Sequence, residues 1–321
     1  MIELVNISKT YVTNIKSPGI KGSIENLFNK NTVEIKALEN INFTIKEGEF
    51  LGLIGANGAG KTTLIKLMTG LLYPDNYGSI TVLGRNPFKK EKDFLKKISL
   101  VSGQKNQLIW DLTAMDSFLL NKAIYKIDNG SFSDTISYLA ELLGVKDKLN
   151  IPVRRLSLGQ RMKLELILSL LHSPKILFLD EPTIGLDFST QKALRNFLKE
   201  YNKKYKATII LTSHNIEDIK ICNQIICIKK GNIIYNGTIS DLNKSKDLLK
   251  YKVIEVYGND FDIALLNTYG KVLFSDKEKI SLRVTSDRLP LLMQHLFVNY
   301  DIQDISILEN DIESVIEKLC N

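Results

Sequence analysis

Gly55, Gly58, Gly60, Lys61 and Thr62 stand in the pattern Gly-x-x-x-x-Gly-Lys-Thr, inside the run Gly55-Ala-Asn57-Gly58-Ala59-Gly60-Lys61-Thr62-Thr63. Glycines let the backbone turn back so that consecutive N–H groups point at one place, and a helix starting there adds the positive end of its dipole. That place should hold a phosphate. Lys61 is spaced to reach β- and γ-phosphates, and the Thr62 hydroxyl to ligate Mg²⁺. A Gly-rich turn with only a structural task would need neither Lys61 nor Thr62.

The elements around this run are those that would position it. Phe50-Leu-Gly-Leu-Ile before it is an apolar strand, and Leu64 to Leu72 after it continues as a helix that stops before Tyr73-Pro74-Asp75. Upstream, Ile2-Glu-Leu-Val-Asn-Ile alternates as a strand followed by Tyr11. Val33 to Leu38 and Ile41 to Ile45 alternate again, and the stretch from about 14 to 32 reads as an insertion in a hairpin. Downstream, Ser79 to Leu83 and Ile98 to Ser102 are short strands, with a charged helix or turn over Lys89 to Lys97. Met115 to Tyr125 and Ser133 to Leu143 carry helical spacing within a helical subdomain of about 105–165. A helix opens at Leu156-Ser-Leu-Gly-Gln and runs through Leu171. Ile176-Leu-Phe-Leu-Asp180 and Thr208 to Ser213 are apolar runs of strand length, as buried parallel strands read. Gln191 to Lys204 and Ile216 to Cys222 are read as helices, and Ile225 to Tyr235 as a small hairpin.

After about residue 243 the character changes. A second domain is expected over 246–321, with the order strand, helix, strand, strand, helix, strand and a last helix over Ile312 to Leu319. That order is the ferredoxin-like signature of a small α+β domain. With 321 residues, 44% apolar and 25% charged, the chain has material for about two soluble domains. No run of ~18 apolar residues occurs, and Met1-Ile-Glu-Leu enters a strand-like segment, so the expected location is cytoplasmic. The net charge of +7 is scattered over nearly every segment without a basic block or interleaved aromatics, which reads as a solvated surface and by itself decides nothing; no nucleic-acid partner is expected. Cys222, Cys227 and Cys320 form neither a disulfide framework nor a metal-ligand pattern.

Further residues now fall into order. Asp180-Glu181 ends the second apolar run, Leu156-Ser157-Leu158-Gly159-Gln160 opens a helix, Gln104 follows a strand, Gly185-Leu186-Asp187 follows the acidic pair, and His214 ends Leu-Thr-Ser-His. Together with the phosphate loop these resemble the ATP-binding subunit of ABC transporters, over residues 1 to about 240. The resemblance implies a P-loop NTPase cassette of the α/β class, with a RecA-like core, an antiparallel β subdomain and a helical signature subdomain. It implies that Asp180 orders Mg²⁺, that Glu181 polarises the attacking water, and that Gln104 senses the metal, with Gln107 as the other candidate by spacing. Such chemistry suits a metal that spreads charge beside a carboxylate that orients the nucleophile. His214 is similar to the switch histidine that contacts the γ-phosphate, and Tyr11 to the aromatic that stacks on adenine. Ser157, Gly159 and Gln160 resemble the signature sequence that grips ATP held by a second cassette, and Asp187 the loop that crosses the dimer interface. Leu158 stands where the pattern has Gly, which puts a Cβ in the turn. Standing alone, Ser157 would read as an ordinary N-cap.

The expected protein is therefore an ATPase subunit that uses ATP and Mg²⁺, pairs with a second cassette as homodimer or heterodimer, and powers transport through separate membrane-spanning permease subunits. It would lie peripherally on the inner face of the cell membrane through those partners. Trp110 and Asp111 lie where the family contacts its membrane partner, and the Gln-rich stretch before Trp110-Asp111-Leu112 suggests an exporter-like subgroup. Two alternatives stay open: a soluble ABC-type ATPase acting on ribosomes or DNA, and a regulatory cassette with weak hydrolysis.

Overall fold

The computed structural model describes residues 1–14, 32–103, 106–244 and 251–308. They fall into two compact units, Met1–Asn236 and the chain from Gly237 onward. The insertion expected over 14–32, Gln104, the junction around 246, Cys320 and the helix expected over Ile312 to Leu319 lie largely or wholly outside the described residues.

The first unit is organised by a six-stranded sheet. In chain order its strands are β3 (Phe50–Ile54), β5 (Ile98–Ser102), β6 (Ile176–Asp180), β7 (Thr208–Ser213), β8 (Gln224–Lys229) and β9 (Asn232–Gly237), set side by side as β5-β6-β7-β3-β8-β9. From β5 to β8 the pairing is parallel. β3 and β7 are buried at every residue, β3 as an apolar run and β7 as Ile209-Ile-Leu211 flanked by the buried hydroxyls of Thr208, Thr212 and Ser213. Alternation then divides the side chains between two cores. Ile176, Phe178 and Ile210 enter one cluster, and Leu177, Leu179, Ile209 and Leu211 the other.

The first core is closed by helix α1 (Lys61–Met68) and by an antiparallel sheet of β1 (Ile2–Asn14), β2 (Thr32–Ile45) and β4 (Ser79–Val82), ordered β2-β1-β4. Phe178 is fully buried there. Phe178→Ala is expected to cost about 3–5 kcal/mol by loss of transfer energy plus a cavity, read as a lower urea midpoint for the first unit.

The second core is closed by helices α2 (Ala114–Tyr125), α3 (Asn129–Leu142), α4 (Leu158–Leu170) and α5 (Phe188–Tyr205). Their starts are chemically marked. Thr113 and Asp116 form a reciprocal capping box for α2, Asp128 caps α3, Ser157 and Gln160 form the box for α4, and Asp187 caps α5.

Four helix ends differ from the sequence expectation. α3 starts at Asn129, four residues before Ser133, because the Asp128 carboxylate accepts from the Ser131 amide. α1 begins at Lys61 and stops at Met68 instead of continuing to Leu72, because Gly70 takes a left-handed turn at φ 74°. The helix expected over Ile216 to Cys222 is a single turn, Ile216–Ile219. The chain must re-enter the sheet at once, with the Asn223 amide donating to the Phe50 carbonyl. α5 starts three residues before Gln191 because the Asp187 carboxylate accepts from the Thr190 amide.

The second unit carries β10 (Tyr251–Gly258), α6 (Ile263–Tyr269), β11 (Lys271–Ser275), β12 (Lys279–Thr285), α7 (Leu289–Asn299) and β13 (Ile302–Leu308). Its antiparallel sheet runs β11-β12-β10-β13. Ile254, Val256, Ile280, Leu282 and Val284 point to one face and pack with Leu266, Leu292 and Leu296 of the two helices. Among the described residues, no helix is long and apolar enough to cross a membrane.

Candidate functional site

β3 delivers the glycine loop to a cleft of about 580 Å³ at the carboxyl ends of the parallel strands, where open α/β sheets place their ligands. The loop needs its glycines for space. A Cβ on Gly55 would come within 2.3 Å of the Ile228 carbonyl oxygen, and Gly60, at φ 113°, would press one within 2.5 Å of the Ala37 carbonyl oxygen. Asn57, Gly58, Ala59, Gly60, Lys61, Thr62 and Thr63 line the cleft together with Tyr11, Asp180 and Glu181.

Lys61 is 5% exposed, and its ammonium donates to the carbonyls of Gly55 at 2.6 Å and Ala56 at 3.3 Å. It also lies 3.6 Å from Glu181 Oε1. A buried cation is thus satisfied by the loop's own carbonyls, which an entering phosphate oxygen could replace. The Thr62 hydroxyl donates to Asp180 Oδ1 at 3.1 Å, and the buried Thr212 hydroxyl donates to the same oxygen at 2.7 Å.

Glu181 sits at φ 51°, the left-handed region that a branched-free carboxylate residue rarely occupies. Its amide is held there by Thr212, donating to the Thr212 hydroxyl at 3.0 Å and the Thr212 carbonyl at 3.2 Å. The strained backbone leaves the side chain 17% exposed between Lys61 and His214, whose Nδ1 is 3.3 Å from Glu181 Oε2. His214 itself is 54% exposed.

Tyr11, on β1 opposite Ile35, hydrogen-bonds through its hydroxyl to Thr63 Oγ1 at 3.3 Å, and the Lys9 ammonium lies 5.9 Å from its ring centre. Lys9 and the Thr10 amide are both bound by the Asp75 carboxylate, each at 2.6 Å, which pins this end of β1. The Lys9 ammonium and the Thr10 amide hold that carboxyl below the usual carboxylate range.

Ser157, Gly159, Gln160 and Asp187 do not line this cleft. Ser157 and Gln160 cap their own helix, the Ser157 amide donating to Gln160 Oε1 at 3.1 Å and the Gln160 amide to Ser157 Oγ at 3.2 Å. Leu158 takes an ordinary helical backbone, so no glycine is demanded there. Its side chain packs on the apolar core, and its Cδ2 lies 3.0 Å from where a Cβ on Gly185 would stand. Asp187 is gripped by the Ser189 hydroxyl and by the hydroxyl and amide of Thr190, which hold its carboxyl far below the usual range.

Gln107 spends its side-chain amide on the Leu100 carbonyl and its backbone amide on Glu165 Oε1, so its groups serve the loop after β5. Trp110 is exposed with the Arg161 guanidinium 5.1 Å from its ring, and Asp111 pairs with Arg154 at 3.0 Å.

Sequence reasoning missed Thr212 and Glu165. Thr212 lies two residues before His214 in a strand, and a lone hydroxyl there was the available signal. Glu165 is a charge inside the apolar run of α4. Its Oε1 accepts the amides of Gln107 and Leu108, and burial pushes its carboxyl up in spite of them.

Comparison with known proteins follows the same outline. The family described as ABC transporter matches residues 38–184. The ABC transporter ATP-binding protein NatA of Bacillus subtilis (strain 168) is 32% identical over 213 residues, 66% of this chain and 86% of that protein. The methionine import ATP-binding protein MetN of Histophilus somni (strain 129Pt) is 31% identical over 238 residues, 72% of this chain and 68% of that protein. Among solved structures, the dimeric post-hydrolysis state of the ATP-binding cassette MJ0796 bound to ADP and Pi superposes with a TM-score of 0.61 at 25% identity. It covers 74% of this chain and 99% of that one.

Proposed function

The chain belongs to the ABC transporter ATP-binding family, a family of ATPases, and from that premise we propose that its cleft binds Mg²⁺-ATP and hydrolyses it between two cassettes to power a membrane-spanning partner. The observation that carries this reading is the convergence of Lys61, Thr62, Asp180 and Glu181 in one cleft, from two strand ends 118 residues apart in sequence at Thr62 and Asp180. The loop amides and Lys61 cradle the phosphates, Glu181 orients the attacking water, and His214, which reaches Glu181 Oε2 at 3.3 Å, is assigned to the γ-phosphate. The donor set suits the metal. A hydroxyl and a carboxylate oxygen 3.1 Å apart, with room for phosphate oxygens and water, match the ligands Mg²⁺ takes. When bound there, Mg²⁺ supplies charge stabilisation on the transferred phosphoryl group.

Ser157, Gly159 and Gln160 are assigned to the partner's nucleotide and Asp187 to the loop that crosses the interface, which accords with their lying outside this chain's own cleft. ATP then favours the closed pair because it touches both subunits there, and hydrolysis removes that preference. The partner is a permease docking at the exposed Ile109, Trp110, Leu112, Leu119, Leu120 and Ile124, so the subunit would work at the inner membrane face. Export is the direction we assign, from the segment around Trp110. MetN, by its name an import protein, shows that the family scaffold also serves the other direction.

Purified chain tests this reading directly: ATP should drive association in light scattering, and phosphate should be released in parallel. A chain that binds ATP but neither associates nor releases phosphate would sink it for the homodimer. Tyr11→Ala should weaken ATP binding by about tenfold through loss of ring stacking worth roughly 1–3 kcal/mol, while Tyr11→Phe, which loses only the Thr63 bond, should stay near wild type. Titration with ATP and, separately, with a triphosphate lacking the purine reads the difference.

A further inference from the structure

Asp218 is 0% exposed, and no step of the proposed reaction uses it. One of its oxygens, Oδ2, accepts both the Thr183 hydroxyl and, at 2.7 Å, the Ser213 hydroxyl. The other, Oδ1, accepts from Arg195 of α5 at 3.0 Å. Thr183 lies two residues after Glu181, in the loop that leads to Asp187. Ser213 immediately precedes His214. Two loops that reach the cleft from different strands therefore meet on a single carboxylate oxygen.

A second bridge runs beside it. Gln191 donates to the carbonyls of Thr183 at 3.3 Å and Leu186 at 3.0 Å, and accepts from the Asn215 side chain at 3.4 Å. Ser213 Oγ, while donating to Asp218, also accepts the Asn215 amide at 2.9 Å, so the residues on both sides of His214 are held. For stability alone, a buried ion pair is often matched by apolar residues of the same volume, so stability does not explain a charge at this point.

We propose that Asp218 is a positioning residue that locks the His214 loop to the loop running from Glu181 to Asp187, so that the 3.3 Å contact of His214 with Glu181 depends on it. The inference rests on the reading of Glu181 and His214 given above. It has a consequence for cooperation between sites. Movement of the Asp187 loop, which we assign to the subunit interface, is passed through Thr183, Asp218 and Ser213 to His214 as a hydrogen-bonded unit.

The test uses the full chain and small changes that leave the Arg195–Asp218 pair intact. Thr183→Val and Ser213→Ala each remove one donor to Oδ2. Each should lower kcat for phosphate release about tenfold, with KM for ATP changed less than twofold, because a reacting group is displaced and the phosphate cradle is not. Both break the same bridge, and Ser213→Ala also takes away the acceptor of the Asn215 amide, so the double variant should be no slower than about Ser213→Ala. Thr183→Ser should restore the wild-type rate. The chain has three histidines, so His214 can be followed by ring NMR. Its resonance should move in both single variants while those of His172 and His295 stay in place. Folded variants with wild-type kcat, or single effects that multiply in the double variant, would overturn the proposal. Glu181→Gln serves as control. If it hydrolyses ATP as fast as wild type, the reading of the site fails; if it is inactive and the hub variants are not, only the lock fails.

Discussion

Glu181→Gln should bind ATP like wild type and release phosphate at least about 10²-fold more slowly, because the amide keeps the size of the side chain but cannot accept the proton of an attacking water. The surroundings make this variant clean. The unusual backbone at Glu181 is held through its amide by Thr212, which the substitution leaves untouched. The side chain's neighbours face its two oxygens separately, Lys61 at 3.6 Å from Oε1 and His214 at 3.3 Å from Oε2, so the carboxamide can turn its oxygen to the Lys61 ammonium and its NH2 to the His214 ring nitrogen. Binding and catalysis should therefore separate. ATP added to Glu181→Gln should give a rise in light scattering that persists, where wild type returns as ATP is consumed. A variant that still turns over at the wild-type rate would remove Glu181 from the reaction and leave the water to be oriented by another group.

How much of this was legible in the sequence depends on how local the signal is. Lys61 and Thr62 were readable because the glycine pattern, the strand before it and the helix after it occupy one short stretch, and each part needs the others. Asp180 and Glu181 were readable as carboxylates that end a buried strand. Thr212 was not: its task is to meet Asp180 and the Glu181 amide across the β6–β7 pairing, and register between strands is not written in either strand alone. Asp218 was invisible for the same reason, since its partners sit 5, 23 and 35 residues away. Helix ends failed where a tertiary demand cut the helix short, as at Gly70 and at Asn223; the cap at Thr113 was legible, while the caps at Asp128 and Asp187 start their helices before the expected Ser133 and Gln191. The Leu at position 158 raised a concern about backbone conformation that the structure answers locally: the residue sits in the first turn of α4, where any L-residue fits, with its side chain turned to Gly185.

Lys61→Ala should behave in the opposite way to Glu181→Gln and lose binding and hydrolysis together. Among the described residues, the ammonium is the one buried side-chain cation lining the cleft, so it meets a phosphate with little further desolvation. Losing a charge-assisted contact of this kind costs about 1.5–3 kcal/mol, or roughly 10–150-fold in ATP affinity. A second effect should appear without ATP. The Gly55 and Ala56 carbonyls lose their donor and the Glu181 carboxylate loses its nearest cation, so the ATP-free chain should also unfold at lower urea. Equilibrium dialysis with ATP, phosphate release and a urea titration read the three quantities on one preparation. If affinity falls while ATP-free stability is unchanged, the carbonyls are satisfied by water once Lys61 is gone, and the loop is held open by its glycines and by Asp180 alone. If stability falls and affinity does not, the phosphate is carried by the backbone amides, and Lys61 serves to keep the empty loop folded around the place that ATP will take.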